Sequence, residues 1–153
     1  MPRPSIFSAV RYPNLLGPGG HSILADIIHT AGGENSLGGY KDKFVRLDEE
    51  MLFSLNPDIY LVQEGAMNKN PLHPKEREHF LALEAVRSGS VLLAPEDLFS
   101  RPGPSSIMAA ELLGIYMRIW DAHNNARVFA KGGMHDLRQT PETAAQGAYK
   151  QSQ

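Results

Sequence analysis

Asn56-Pro57-Asp58-Ile59-Tyr60-Leu61-Val62 is the stretch that decides the fold. Asn-Pro-Asp is turn chemistry: the residue before a proline is pushed out of the helical region, and Asn and Asp close local turns with their own side chains. The four apolar residues that follow include two β-branched ones and an aromatic ring, which makes them the clearest strand in the chain.

Upstream, Ser5-Ile6-Phe7-Ser8-Ala9-Val10 is a short apolar run closed by Tyr12-Pro13-Asn14 and reads as a buried strand. A glycine-rich loop, Gly17-Pro18-Gly19-Gly20, leads to Ser22, which can cap a helix carrying Ile23, Leu24, Ile27, Ile28 and Ala31 on one face. Gly32-Gly33 ends it. Residues 34–47 show little periodicity, and Asp48 then caps a short helix, Glu49–Leu55, whose buried side is Met51, Leu52 and Leu55. Downstream, Pro74-Lys75-Glu76-Arg77-Glu78 opens a charged amphipathic helix expected to bury Phe80, Leu81 and Leu83. Ser88-Gly89 turns into a third strand, Val91-Leu92-Leu93. After a proline-containing loop, Ser105 or Ser106 starts the longest helix, with Ile107, Met108, Leu112, Leu113, Tyr116 and Ile119 in register.

Strands alternating with helices predict an α/β fold: a three-layer, Rossmann-like lobe with a short, mainly parallel central sheet flanked by helices. The expected domain spans residues 4–123, and the polar, aperiodic segment 124–153 reads as a loosely attached tail. In such a sheet, ligands gather beyond the carboxyl ends of the strands. The loops 11–21, 63–73 and 94–104 form that edge.

Composition narrows the function. With 15 Lys plus Arg against 17 Asp plus Glu in 153 residues, the chain has no basic field to hold nucleic acid. Without cysteine it has no thiolate nucleophile or Cys-ligated zinc. No apolar run approaches a membrane span of roughly 20 residues, so no membrane insertion is expected. Met1-Pro2-Arg3-Pro4-Ser5 lacks the basic and apolar segments of a signal peptide, and the chain as written reads as unexported. The six histidines form no compact metal set, and no nucleophile stands beside a base, so neither a catalytic nor a metal site is expected.

Candidate binding residues lie in the edge loops. Gly17–Gly20 before a helix is either an anion cradle or a tight turn; it lacks the Gly-Lys-Ser/Thr of a P-loop and the spacing of a dinucleotide fingerprint. His21 sits at the same edge. Asp97 and Arg101, four residues apart, can face a polar ligand or pair with each other. Phe44 is either a local core plug or an exposed platform for a large ring. Glu49 and Glu50 complement a helix dipole.

A series of landmarks adds to this. They are Gly19-Gly20-His21-Ser22, Ala31-Gly32-Gly33-Glu34-Asn35, Leu47-Asp48-Glu49-Glu50-Met51-Leu52, Asn56-Pro57-Asp58, Ala85-Val86-Arg87-Ser88-Gly89-Ser90-Val91 and Phe99-Ser100-Arg101-Pro102-Gly103-Pro104. In this order and spacing, over residues 4 to 120, the chain resembles the carboxy-terminal lobe of periplasmic binding proteins whose two α/β lobes are joined by one long helix. The resemblance implies a non-enzymatic, extracytoplasmic component of an ABC importer for cobalamin, haem or a ferric siderophore. Its ligand would be a small-molecule chelate that itself contains iron or cobalt, with no other cofactor. By the same resemblance Leu16, Phe44, Asp97 and Arg101 face the ligand, and Glu50 docks on the permease dimer. Leu16 replaces an aromatic residue of the cobalamin-binding member, and Ser105 replaces a common arginine. The amino-terminal lobe and connecting helix are not in the sequence, and a partner lobe is expected. A small Rossmann-like nucleotide-binding enzyme and a stand-alone interaction module are the competing readings.

Overall fold

A computed structural model describes residues 3–66, 68–122 and 134–138. The elements run β1 Ser5–Ala9, β2 Leu16–Pro18, α1 Ile23–Thr30, β3 Glu34–Asn35, β4 Phe44–Arg46, α2 Glu49–Leu55, β5 Ile59–Glu64, α3 Glu84–Arg87, β6 Val91–Pro95, α4 Glu96–Phe99, α5 Pro104–Ala122 and β7 His135–Asp136. Five strands form one parallel sheet in the order β3-β1-β5-β6-β7. The expected α/β, three-layer architecture is present.

Period-2 alternation divides the sheet into two apolar faces. Ile6, Ile59, Leu61, Leu92 and Ala94 point to one side, where Leu24, Ile27 and Ile28 of α1 and Leu113, Tyr116, Met117 and Trp120 of α5 cover them. Phe7, Tyr60, Val62 and Val91 point to the other, against Leu52 of α2, Ala85 and Val86 of α3, and Phe80 and Leu83. Both predicted caps form: Ser22 Oγ accepts from the Ala25 amide at 3.0 Å, and Asp48 Oδ1 from the Met51 amide at 2.8 Å. Asn56 closes α2 in the left-handed region, as an Asn before Pro57 can do with little strain.

Four expectations need correction. Gly17 and Pro18 are not loop: β2 pairs antiparallel with β4 in a small ribbon, in the registers Leu16↔Arg46, Gly17↔Val45 and Pro18↔Phe44. Three-residue strands are too short to show a period in sequence, and glycine and proline argue locally against them. The charged helix after Pro74 is instead two 3₁₀ turns, Pro74–Glu76 and Phe80–Ala82, followed by α3. Arg77 is extended and His79 sits at φ 70°, so helical hydrogen bonding stops there; Phe80 and Leu83 are buried as expected, but Leu81 is 56% exposed.

On α5 the core stripe is Ala109, Ala110, Leu113, Tyr116, Met117 and Trp120, leaving Ile107 and Met108 64% and 54% exposed. Small residues occupy the stripe's first turn because α4, with buried Phe99, packs there. Finally, residues 134–138 of the expected tail belong to the sheet: β7 pairs with β6 through Leu92↔His135 and Leu93↔Asp136, and Leu137 is fully buried. The rest of segment 124–153 lies outside the described residues. No described helix is long and apolar enough to cross a membrane.

Candidate functional site

Because all five strands run parallel, their carboxyl ends share one edge. From β1 the chain goes outward to β3, whereas β5, β6 and β7 follow on the other side. That reversal opens a crevice between β1 and β5, the usual place for a ligand in an open α/β sheet. The β2–β4 ribbon rises on the β1 side of it, and the start of α4 closes the β6 side.

The ribbon has an inner and an outer face. Val45 is buried, and a Cβ on Gly17 would meet Leu37 at 2.6 Å and Phe7 at 2.9 Å, so close packing on the core explains that glycine. The outer face carries the cross-strand pairs Leu16–Arg46 and Pro18–Phe44. An additional antiparallel bridge joins Arg11 to Leu16, which places Leu16 in a row between two arginines. Phe44 is 41% exposed, with Lys43 Nζ 5.8 Å from its ring centroid, whereas Leu16 is only 8% exposed. Arg11 and Arg46 also line a groove of about 460 Å3 with Pro13, Asn14, Leu15 and Leu47. Arg11 Nε donates to the Asn14 carbonyl at 3.0 Å, folding over the turn that contains the cis Tyr12–Pro13 peptide.

The glycine loop is not an anion cradle. The Gly19 amide donates to the Lys43 carbonyl at 2.9 Å and the Gly20 amide to the Tyr40 carbonyl at 2.8 Å. Any side chain at Gly19 would run into the Asp42 carbonyl, so the glycines permit backbone-to-backbone approach. His21 is exposed.

Across the crevice, Asp97 and Arg101 line one pocket. Both are exposed, and the pocket, of about 450 Å3, is lined also by Glu64, Gly65, Ala66, Glu96 and Ser100. They form no ion pair with each other among the described residues. The pocket floor is tied by hydrogen bonds: the Ala66 amide donates to Glu96 Oε2 at 2.7 Å, Gln63 Nε2 to Ser100 Oγ at 2.9 Å, and Asn68 Nδ2 to the Gln63 carbonyl at 2.9 Å. Arg138 reaches this side, 3.5 Å from Glu64 and 2.6 Å from Asp136. Burial pushes the Asp136 carboxyl up, but hydrogen bonds from the Arg138 side chain and amide outweigh it and hold the group below its usual range.

The edge is therefore two-signed, with Lys43 beside Phe44 and Arg11 and Arg46 flanking Leu16 on the ribbon side, and Glu64, Glu96 and Asp97 beside Arg101 at the β6 end. Sequence reasoning missed Arg11 and Arg46; the alternation in Phe44-Val45-Arg46 was the only available sign that Phe44 and Arg46 share a face. Glu50 stands apart, exposed in the first turn of α2, next to half-buried Glu49. Among the described residues no three His, Asp or Glu side chains are grouped to hold a metal ion.

Solved structures similar to this chain include periplasmic binding proteins. The periplasmic vitamin B12 binding protein BtuF of Vibrio cholerae superposes with a TM-score of 0.66 at 17% identity, covering 78% of this chain and 46% of its own. The fold is that of half a periplasmic binding protein. An ABC-type Fe3+-hydroxamate transport system structure from Saccharomonospora viridis matches with a TM-score of 0.63 at 17% identity, covering 79% of this chain and 41% of its own. The periplasmic heme-binding protein RhuT from Roseiflexus sp. RS-1 gives 0.60 at 19% identity, with 80% and 48% covered. This chain thus spans less than half the length of the binding proteins it superposes on. The sequence matches no protein-family model and no curated protein.

Proposed function

We propose that this chain is one wall of a substrate-binding protein for an ABC importer, taking a bulky iron- or cobalt-containing nutrient such as cobalamin, haem or a ferric siderophore, and that it carries out no chemistry. The observation that supports this best is the crevice edge: an exposed aromatic ring on a ribbon, opposite exposed Asp97 and Arg101 that form no ion pair with each other among the described residues, none of them holding the core. Phe44 offers a flat apolar face to a macrocycle or chelate, while Asp97 and Arg101 supply an acceptor and a planar donor fork to its polar rim. Leu16 contributes as the middle of the row between Arg11 and Arg46 rather than through a large free surface. The similarity to cobalamin-, hydroxamate- and heme-binding structures supports the ligand class.

The second wall in this reading is an amino-terminal lobe, supplied by a longer chain or a separate one, and the assembled protein works outside the cytoplasm. Glu50 docks on the permease dimer. With one wall only, much of the ligand surface stays in water, so affinity of this chain alone is expected to be weaker than about 1 μM. Calorimetry with haem, cyanocobalamin and a ferric hydroxamate tests it. In the two-lobe protein, Arg101→Ala or Phe44→Ala should weaken the bound ligand by about tenfold or more without moving the melting temperature. An Arg101→Ala protein that unfolds while its folded fraction binds normally would make Arg101 structural and remove it from the site. Glu50→Arg should impair permease association while ligand affinity holds, with Glu49→Arg as the control of equal charge.

A further inference from the structure

The exposed stripe on α5 is organised. Ile107, Ala110, Glu111, Gly114, Ile115 and Arg118 recur at three- and four-residue steps, forming a single helix face along a groove of about 630 Å3 between α1 and α5. The middle of this face is made of small residues, Ala110 and Gly114, which lie buried beside α1, while Ile107, Glu111 and Arg118 stand exposed. A Cβ on Gly114 would meet only ordinary contacts, the Ala31 carbonyl at 3.5 Å and Arg118 Nη1 at 3.7 Å, so packing inside the chain does not require glycine there. Glycine is a poor residue for a helix interior, yet it lets a second helix come close.

The charges on the same face are placed about that glycine. Glu111 lies three residues before it and Arg118 four after; both are exposed, and neither has an ion pair among the described residues. Two helical turns, about 10 Å, separate them along the axis, beyond the reach of the usual intrahelical pairs. When two copies of α5 run antiparallel and cross at Gly114–Ile115, however, Glu111 of each stands opposite Arg118 of the other. We propose that this face is the docking surface for a second copy of this chain, with α5 paired antiparallel about a twofold axis at Gly114–Ile115. Exposed Ile107 and half-buried Ile115 supply the apolar contact and the two Glu111–Arg118 pairs set the register, as an isologous interface requires. The self-complementary charge order favours a second copy over an unrelated apolar partner, which would have no need of opposite charges balanced about the crossing point.

Sedimentation velocity on the full 153-residue chain tests this, over roughly 1–100 μM at moderate salt, where exposed pairs are not fully screened. The expected result is a concentration-dependent dimer. Glu111→Arg or Arg118→Glu alone puts like charges together twice and should raise the dimer dissociation constant by about tenfold or more. The double swap Glu111→Arg/Arg118→Glu should return it to within about threefold of the starting value. Circular dichroism and melting of each variant confirm that these exposed changes leave the fold intact. The proposal is overturned by a monomer at every concentration, which would leave the stripe to another occupant such as the missing half of a longer protein. It is equally overturned by single variants that associate normally, or by a double swap that stays as weak as the singles.

Discussion

The two helical faces of the sheet are built by opposite means. On one side α1 and α5 lay regular apolar stripes over Ile6, Ile59, Leu61 and Leu92. On the other, coverage is assembled from α2, α3, two 3₁₀ turns and the β2–β4 ribbon, none longer than seven residues. What unifies this second side is a set of rings. Phe80 stands edge-on to Tyr12, Phe53 and Tyr60 at centroid distances of 6.0, 5.8 and 6.5 Å, and Phe7 meets Tyr60 at 5.3 Å. Long helices bring their own hydrogen bonds and need only a stripe. Short pieces depend on tertiary contacts to hold them, so cohesion there rests on a few large side chains.

Removing the hub is the most severe way to break that side. Phe80→Ala deletes a fully buried ring with three aromatic neighbours and should cost about 3–5 kcal/mol in denaturant unfolding. Phe99→Ala, equally buried on the α5 side, belongs to the same range on burial alone. The comparison sharpens in hydrogen exchange. Loss of Phe80 should expose amides across residues 74–87, whereas loss of Phe99 should leave α1 and most of α5 protected. A loss below about 1 kcal/mol for Phe80→Ala would mean the patchwork side is not a true core.

Arg77 is the next probe, since it is what the broken helix gains. Its guanidinium lies 3.5 Å from the Tyr12 ring centroid, and Nη1 donates to the Tyr60 hydroxyl at 3.4 Å. Burial pushes the Tyr60 hydroxyl up to about 12, against a smaller opposing pull from Arg77, so this phenol stays protonated at all ordinary pH. Arg77→Ala should cost about 1–2 kcal/mol, and Arg77→Lys should recover less than half, because an ammonium cannot both stack and donate from a planar fork. Full recovery by lysine would reduce the contact to simple charge.

The same contrast explains what the sequence allows to be read. Ile59–Val62, the Ser22 and Asp48 caps and the α/β alternation rest on local signals, and they stand as expected. The split after Pro74 does not, because Arg77 leaves the helix for a ring, Tyr12, that lies 65 residues earlier in the chain. On α5, Leu113 and Tyr116 are buried as read, but the first turn of the stripe differs for a related cause. Ile107 and Met108 have the apolar character of core residues, but Phe99 fills that end of the core and α5 presents its alanines there. At the carboxyl edge of the sheet, the shared pocket of Asp97 and Arg101 follows from local spacing, because four residues suffice to place them together. The alignment of Leu16 between Arg11 and Arg46 depends on strand pairings across the ribbon, which local periodicity does not encode.

The smallest effect separates the two sides by pH. Each has one histidine whose pKa is lowered by burial: His73 at the first 3₁₀ turn, where Lys75 adds to the lowering, and His135 on β7, 5.8 Å from the Tyr116 ring. A folded pKa below the unfolded value of about 6.5 means that the unfolded chain takes up protons first as pH falls. Both groups therefore contribute stability above that pH and lose it progressively as pH drops through the unfolded and then the folded value. Their local consequences differ. His73 Nδ1 accepts the Lys75 amide at 3.0 Å, and protonation turns that acceptor into a donor, so the Pro74–Glu76 turn loses its cap. At His135 acid acts instead on the pairing of β7 with β6. Amide spectra followed as pH falls below the unfolded value of about 6.5 should accordingly show changes in two places, one around Lys75 and one around Leu92 and Leu93. His73→Asn retains a capping oxygen without the titration and should abolish the first change while leaving the second. Loss of both with that single substitution would show that the two faces respond as one unit.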